Sequence, residues 1–210
     1  MDVVVQRSNG ELLGEIRKQI DALEKEVEAV YSALVLPHWL KELHGFPQTL
    51  YGYMMRVFAF VDLLSAYWKG NNKNQSSRMI AFMNKYMRPE QEANSVALQM
   101  WRHKLMHTAQ PRPLKDARTG KTYCWLLHWH DHLPKERHYT FNDTTDTRIL
   151  NIGLVYLIGD LKQAALNYEA ELLASVELQS KVSRFQTKLD SLKYRDYRAI
   201  TIASSRPRAR

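Results

Sequence analysis

Arg102, His103 and His107 stand within six consecutive residues, Arg102-His103-Lys104-Leu105-Met106-His107. A guanidinium offers a planar fork that grips a phosphate at two oxygens. Imidazole titrates near neutrality, so it can take or give a proton at working pH. On a helix, at about 100° per residue, His103 lies roughly 100° and His107 roughly 140° from Arg102. The two histidines are then i, i+4 neighbours on one face, with the arginine flanking them. Such a set suits phosphoryl chemistry. Arg and His are also ordinary occupants of a last helical turn, where they complement the negative end of the dipole.

The elements that must position this cluster read as helices. Gly45-Phe46-Pro47 punctuates before a helix predicted from about Gln48 to Lys69. Gly70-Asn71-Asn72-Lys73-Asn74-Gln75 is a polar loop, and Ser76 or Ser77 can cap the next helix. Arg88-Pro89 interrupts that helix, and Pro89-Glu90-Gln91-Glu92 opens the one that carries the cluster, with proline early and acids in the first turn. Pro111 and Pro113 close it, which places His107 near a helix end and near solvent. Met54, Met55, Met79, Met83 and Met100 recur at helical spacing and read as core filler. Asp62, in an otherwise apolar helix, calls for a cationic partner or a group to orient.

Arg102-His103-x-x-x-His107 resembles the Arg-polar-x3-His signature of the HEPN superfamily, whose second position is commonly Asn, Asp or His. The order of elements from roughly Pro47 to His107, completed by a helix after Thr145, is similar to that family's helical core, and the likeness covers about two-thirds of the chain. The resemblance implies an all-α fold, a helical bundle with long terminal helices, here carrying a small β-hairpin insertion. It also implies a homodimer in which two Arg102/His107 sets line one cleft. The activity it implies is a metal-independent endoribonuclease without cofactor, a toxin or defence effector of the cytoplasm, acting on RNA and held in check by an antitoxin or regulatory protein. Arg102, His103 and His107 would be catalytic, and RNA contacts are expected at Lys104, Arg112, His128, His130, Arg206 and Arg208. Some family members carry a tyrosine two residues after the last histidine that a partner nucleotidyltransferase modifies. Ala109 stands there in this chain, so that control is not expected. The alternative is a non-catalytic dimeric helical module that binds RNA or protein, and binding of RNA without cutting would identify it.

Composition narrows the class. The chain has 210 residues, ordinary apolar and charged fractions and a formal net charge of +8, as expected of a folded domain with elaborations. Its apolar run near Val57–Leu64 is broken by Asp62 and falls short of the ~20 residues of a membrane span. The start, Met1-Asp2-Val3-Val4-Val5-Gln6-Arg7, lacks the basic and apolar regions of a secretory signal. Cys124 is the sole cysteine, so no internal disulfide forms, which suits a reducing compartment. Nine basic residues lie between Lys181 and Arg210 against Asp190 and Asp196. That end is a handle for a nucleic-acid backbone or a solvated tail, flexible over residues 199–210, with residues 1–198 expected to form one domain.

Leu13, Ile16, Ile20, Leu23, Val27, Val30 and Leu34 make a heptad-like stripe on a helix stopped by Pro37. Its partner is expected at the other end of the chain, where Leu150, Leu154, Leu157, Leu161, Ala164 and Tyr168 recur at helical spacing. That pattern slips around Leu172–Val176 and resumes with Val182, Phe185, Leu189 and Leu192. One continuous helix would run roughly 65–70 Å, so it bends at the slip, or its far half pairs with the N-terminal helix, or the stripes meet across a dimer axis.

Only the segment from Gly120 to Phe141 reads as strand. Thr122–Trp129 is rich in aromatic and β-forming residues, Leu133–Glu136 suggests a turn, and His138–Phe141 a return strand. His128, His130 and His132 alternate and would point to one side, with His138 facing them across the hairpin. Such a set can be plain surface, can contact bases together with Trp125 and Trp129, or can bind zinc. No carboxylate is fixed by spacing, and the run departs from His-x-His-x-Asp-His, so no metal site is assigned.

Overall fold

The computed structural model describes residues 8–35, 47–100, 113–129 and 133–193. Six α-helices among them form the scaffold, in the order α1 (Asn9–Val30), α2 (Pro47–Lys69), α3 (Gln75–Phe82), α4 (Gln91–Gln99), α5 (Leu154–Ala174) and α6 (Val176–Lys193). Four strands lie between α4 and α5: β1 (Leu114–Lys115), β2 (Thr122–His128), β3 (Phe141–Asp143) and β4 (Thr147–Gly153).

The start of α1 follows from its sequence. Ser8 Oγ accepts from the Glu11 N–H at 3.2 Å, and the Glu11 carboxylate accepts from the Ser8 N–H at 2.7 Å. This capping box satisfies two of the amides that a helix start leaves unpaired. Leu13, Ile16, Ile20, Leu23 and Val27 are buried along one face, each contributing roughly 1.5–3 kcal/mol relative to exposure. Their main partner is α5, the helix that the two stripes predict. Lys162 of α5 reaches Asp21 and Glu24 at 2.9 and 2.8 Å, and Arg17 reaches Glu169 at 3.1 Å.

The slip in the C-terminal stripe is a break. Ser175 takes extended backbone angles, φ −124° and ψ 109°. Its carbonyl accepts from the Gln179 N–H at 3.0 Å, and its Oγ accepts from the Leu178 N–H at 3.3 Å. Serine thus ends α5 and caps α6. The second helix turns Leu178, Val182 and Phe185 into the core, where Phe185 meets Tyr67 of α2 edge-on at 5.3 Å. Met54, Met79, Met83 and Met100 are buried as expected. No helix among the described residues is long and apolar enough to cross a membrane.

The strands correct the all-α expectation. The sheet is mixed, in the order β1-β2-β4-β3. β2 runs parallel to β4, from Thr122 opposite Thr147 to His128 opposite Gly153. β1 and β3 flank that pair, each antiparallel to its neighbour. The expected hairpin between Thr122–Trp129 and His138–Phe141 does not form. The latter stretch instead enters β3 only at Phe141 and runs along the far edge of β4. Residues 150–154 are buried without interruption, so their apolar run fits a strand in parallel pairing as well as a helix. The helix begins at Leu154, with Gly153 as its N-cap.

Candidate functional site

Arg102, His103, Lys104, His107, Arg112, His130, His132, Arg206 and Arg208 lie outside the described residues. The helix α4 leads toward the Arg102–His107 cluster, and three polar ties hold it in place. Ala93, Asn94, Val96, Ala97 and Leu98 form its buried face. The buried Asn94 side chain donates from Nδ2 to Asn84 Oδ1 at 2.6 Å and to the Arg88 carbonyl at 2.8 Å, and Asn84 in turn bonds Gln91. Asn84 belongs to the π-helical turn Met83–Met87 that ends α3. An amide chain therefore fixes the turn between α3 and α4.

A second tie runs from α4 to the sheet. The Glu92 carboxylate accepts from Arg148 of β4 and, at 2.8 Å, from the Tyr123 hydroxyl of β2. Arg148 also donates to Asp143 at 2.8 Å and lies 4.3 Å over the Phe141 ring. Burial alone would raise the Glu92 carboxyl, but the hydrogen bonds from Arg148 and Tyr123 outweigh it and hold the group below its usual value.

The third tie is half-buried and centred on a buried histidine. Arg88, just before α4, donates to the Asp160 carboxylate of α5. His138 Nε2 lies 3.2 Å from the same carboxylate, and the Gly153 N–H points at His138 Nδ1 from 3.0 Å. An amide N–H can only donate, so Nδ1 is the bare nitrogen and Nε2 carries the proton given to Asp160. The His138 side chain is 0 % exposed. Burial lowers its proton affinity, opposed by the hydrogen bond to Asp160, and the balance lies below the ordinary imidazole value. For Asp160, burial acts upward, but hydrogen bonds from His138 and Arg88 leave it below its usual value. Both ring nitrogens are occupied and sealed from solvent, so His138 cannot serve an external substrate as a base while the clasp is closed.

His138 therefore does not face His128 across a hairpin. β4 lies between β2 and the edge along which His138 sits. His128 ends β2 half-buried, opposite Gly153. Trp125 and Trp129 are buried, and Trp129 stacks near Tyr31 at 6.2 Å and Tyr53 at 6.1 Å. They fill core rather than present a surface for bases. Among the described residues, no group of three His, Cys, Asp or Glu could hold a metal ion.

Asp62, half-buried in an apolar helix, finds its cationic partner in Arg78. Arg78, 4 % exposed, donates from Nη2 to the Asp62 carboxylate and carbonyl. It also donates from Nε to Ser65 Oγ at 3.0 Å, and from Nη1 to the carbonyls of Asn71 and Lys73 at 3.1 and 3.3 Å. All five guanidinium N–H groups are used. Gln75 takes the other Asp62 oxygen at 2.6 Å.

Fold and site thus define a mostly helical protein with a small mixed sheet, in which three polar ties secure the helix that precedes the Arg-His cluster. No family model, no curated protein and no solved structure matches this chain.

Proposed function

We propose that the chain is a metal-independent endoribonuclease of the HEPN type, working as a homodimer whose two Arg102/His107 sets share one cleft. The observation that carries this reading is the Arg102-His103-x-x-x-His107 spacing directly after α4. The succession α2, α3, α4 before it and the long α5 after the strands agree with a helical core of that kind. The three ties on α4 agree with a helix whose orientation matters, because catalytic groups must be held in register.

In the proposed reaction one histidine takes the proton of a ribose 2′-hydroxyl, whose oxygen attacks the adjacent phosphorus. The bond to the 5′-oxygen of the next nucleotide breaks, and that oxygen regains a proton. Arg102 holds the phosphate and stabilises its growing charge, and His103 orients the array or contacts the RNA. Lys104, Arg112, His128, His130, Arg206 and Arg208 supply contacts to the strand, and an antitoxin or other regulatory protein restrains the enzyme in the cytoplasm.

Labelled RNA incubated with the purified chain in excess chelator tests the reading. The expected result is cleavage by the natural protein and a loss on the order of 10²–10⁴ in rate for His107→Ala, with the dimer intact by sedimentation. Binding of RNA without any cutting would favour the non-catalytic module instead.

A further inference from the structure

His138 is the only group in the Arg88–Asp160–His138–Gly153 chain that changes protonation near neutrality, and it stands where three parts of the fold meet. The Gly153 amide it accepts belongs to the last residue of β4 and caps α5. The carboxylate it donates to is on the second turn of α5. Through Arg88 the chain reaches the turn before α4, whose carbonyl holds Asn94. The backbone around the histidine is committed to this arrangement. Tyr139 takes the left-handed conformation at φ +64°, uncommon for a bulky residue. That bend lets the Tyr139 N–H reach the Asn151 carbonyl at 2.7 Å while His138 reaches Gly153.

We propose that His138 is a proton-operated latch: neutral, it fastens the β4–α5 junction to the Arg88 turn, and protonated at Nδ1 it releases the Gly153 amide and lets that junction open. A proton on Nδ1 would set one donor against another, the imidazole N–H against the Gly153 N–H. The charges that face the ring come from every side of it. Asp160 of α5 favours the proton, as does Glu90 before α4, while Arg88 opposes it. Asp160 is already engaged by Arg88 through both oxygens. The rings of Tyr139 and Tyr156 lie 5.5 Å from the imidazole, and the side chain is sealed from the water that would solvate the extra charge. The closed junction therefore excludes the proton and the open one admits it. The latch does not rest on the ribonuclease reading, and each can fail alone.

Nitrogen-15 spectra of the full-length chain and amide exchange between pH 7.5 and 5 test it. At the upper pH the His138 ring should show a bare Nδ1 and a protonated Nε2. As pH falls below the ordinary imidazole value, about 6.5, protection factors of Gly153 and Tyr139 should drop by about tenfold per pH unit, the limit for opening coupled to one proton. Leu161, in the middle of α5, should not follow. In His138→Gln, whose amide can still donate to Asp160, the pH dependence at Gly153 should vanish. The latch is overturned if Nδ1 carries the proton at pH 7.5, or if Gly153 keeps its protection down to pH 5. Both readings come from the natural chain, so they stand even where the variant does not fold.

Discussion

Two buried polar centres hold this molecule together, and they differ in one chemical respect. In the first, Arg78 spends its five donors on Asp62, Ser65 and the loop carbonyls of Asn71 and Lys73. A guanidinium stays charged at every accessible pH. In the second, Asp160 is shared between Arg88 and a neutral histidine. The first closes a loop between two adjacent helices. The second joins parts of the chain 72 and 22 residues apart in sequence, at the meeting of helices and sheet. A permanent charge with all donors satisfied makes a rivet, and a titratable group in the same kind of setting makes a joint that responds to protons.

The largest loss of stability is expected at the rivet. Arg78→Met takes the guanidinium from Asp62, Ser65 and two loop carbonyls, leaves Asp62 only the Gln75 amide, and should cost about 3 kcal/mol in urea unfolding. That is the low end for breaking a buried pair, because the Asp62 side chain is 31 % exposed. At the joint, Gly153→Ala would bring a Cβ within 2.6 Å of Tyr156 Cδ2. The expected cost is about 1–3 kcal/mol from overpacking, and adding Tyr156→Leu should recover part of it. A cost unchanged by the second substitution would show that the close contact is not its source.

Acidity separates the two centres with a smaller effect. His138 has a lowered proton affinity in the folded chain, so below about pH 6.5 the unfolded chain binds a proton that the folded one refuses. Stability is then fully present above that pH and declines as pH falls toward the folded value. In His138→Gln this part of the slope should disappear. In Arg78→Met the slope should remain while the whole curve moves down. Glu92→Gln should do least. Its side chain is 49 % exposed, and a solvated ion pair contributes about 0–1 kcal/mol. A larger loss would mean that the tie from α4 to the sheet carries more than its exposure suggests.

The sequence discloses these regions unequally. The α1 stripe, the break near Ser175 and the need of Asp62 for a cation are local patterns, and periodicity or burial is enough to read them. β4 is hidden because its buried stretch, Leu150-Asn151-Ile152-Gly153, runs into Leu154 and the helical spacing of α5, and parallel pairing leaves no polar alternation to mark it. The alternation of His128, His130 and His132 is plain in the sequence, but the place of His138 is not. Its partners Gly153, Asp160 and Arg88 follow no fixed spacing, and only the fold brings them together. The Arg102–His107 cluster is legible as spacing alone, and the helix before it is secured by residues from the Met83–Met87 turn, β2, β4 and α5 that no motif names.

The ribonuclease reading meets its most direct test in an oligonucleotide that is DNA throughout except for one ribose, offered to the full-length protein in excess chelator. Expected are a single cut on the 3′ side of that ribose, a product ending in a 2′,3′-cyclic phosphate, and cutting slowed on the order of 10²–10⁴-fold in Arg102→Ala and His107→Ala. An intact substrate under conditions where the protein binds it, or the same cut made at the natural rate by either variant, would refute the ribonuclease reading.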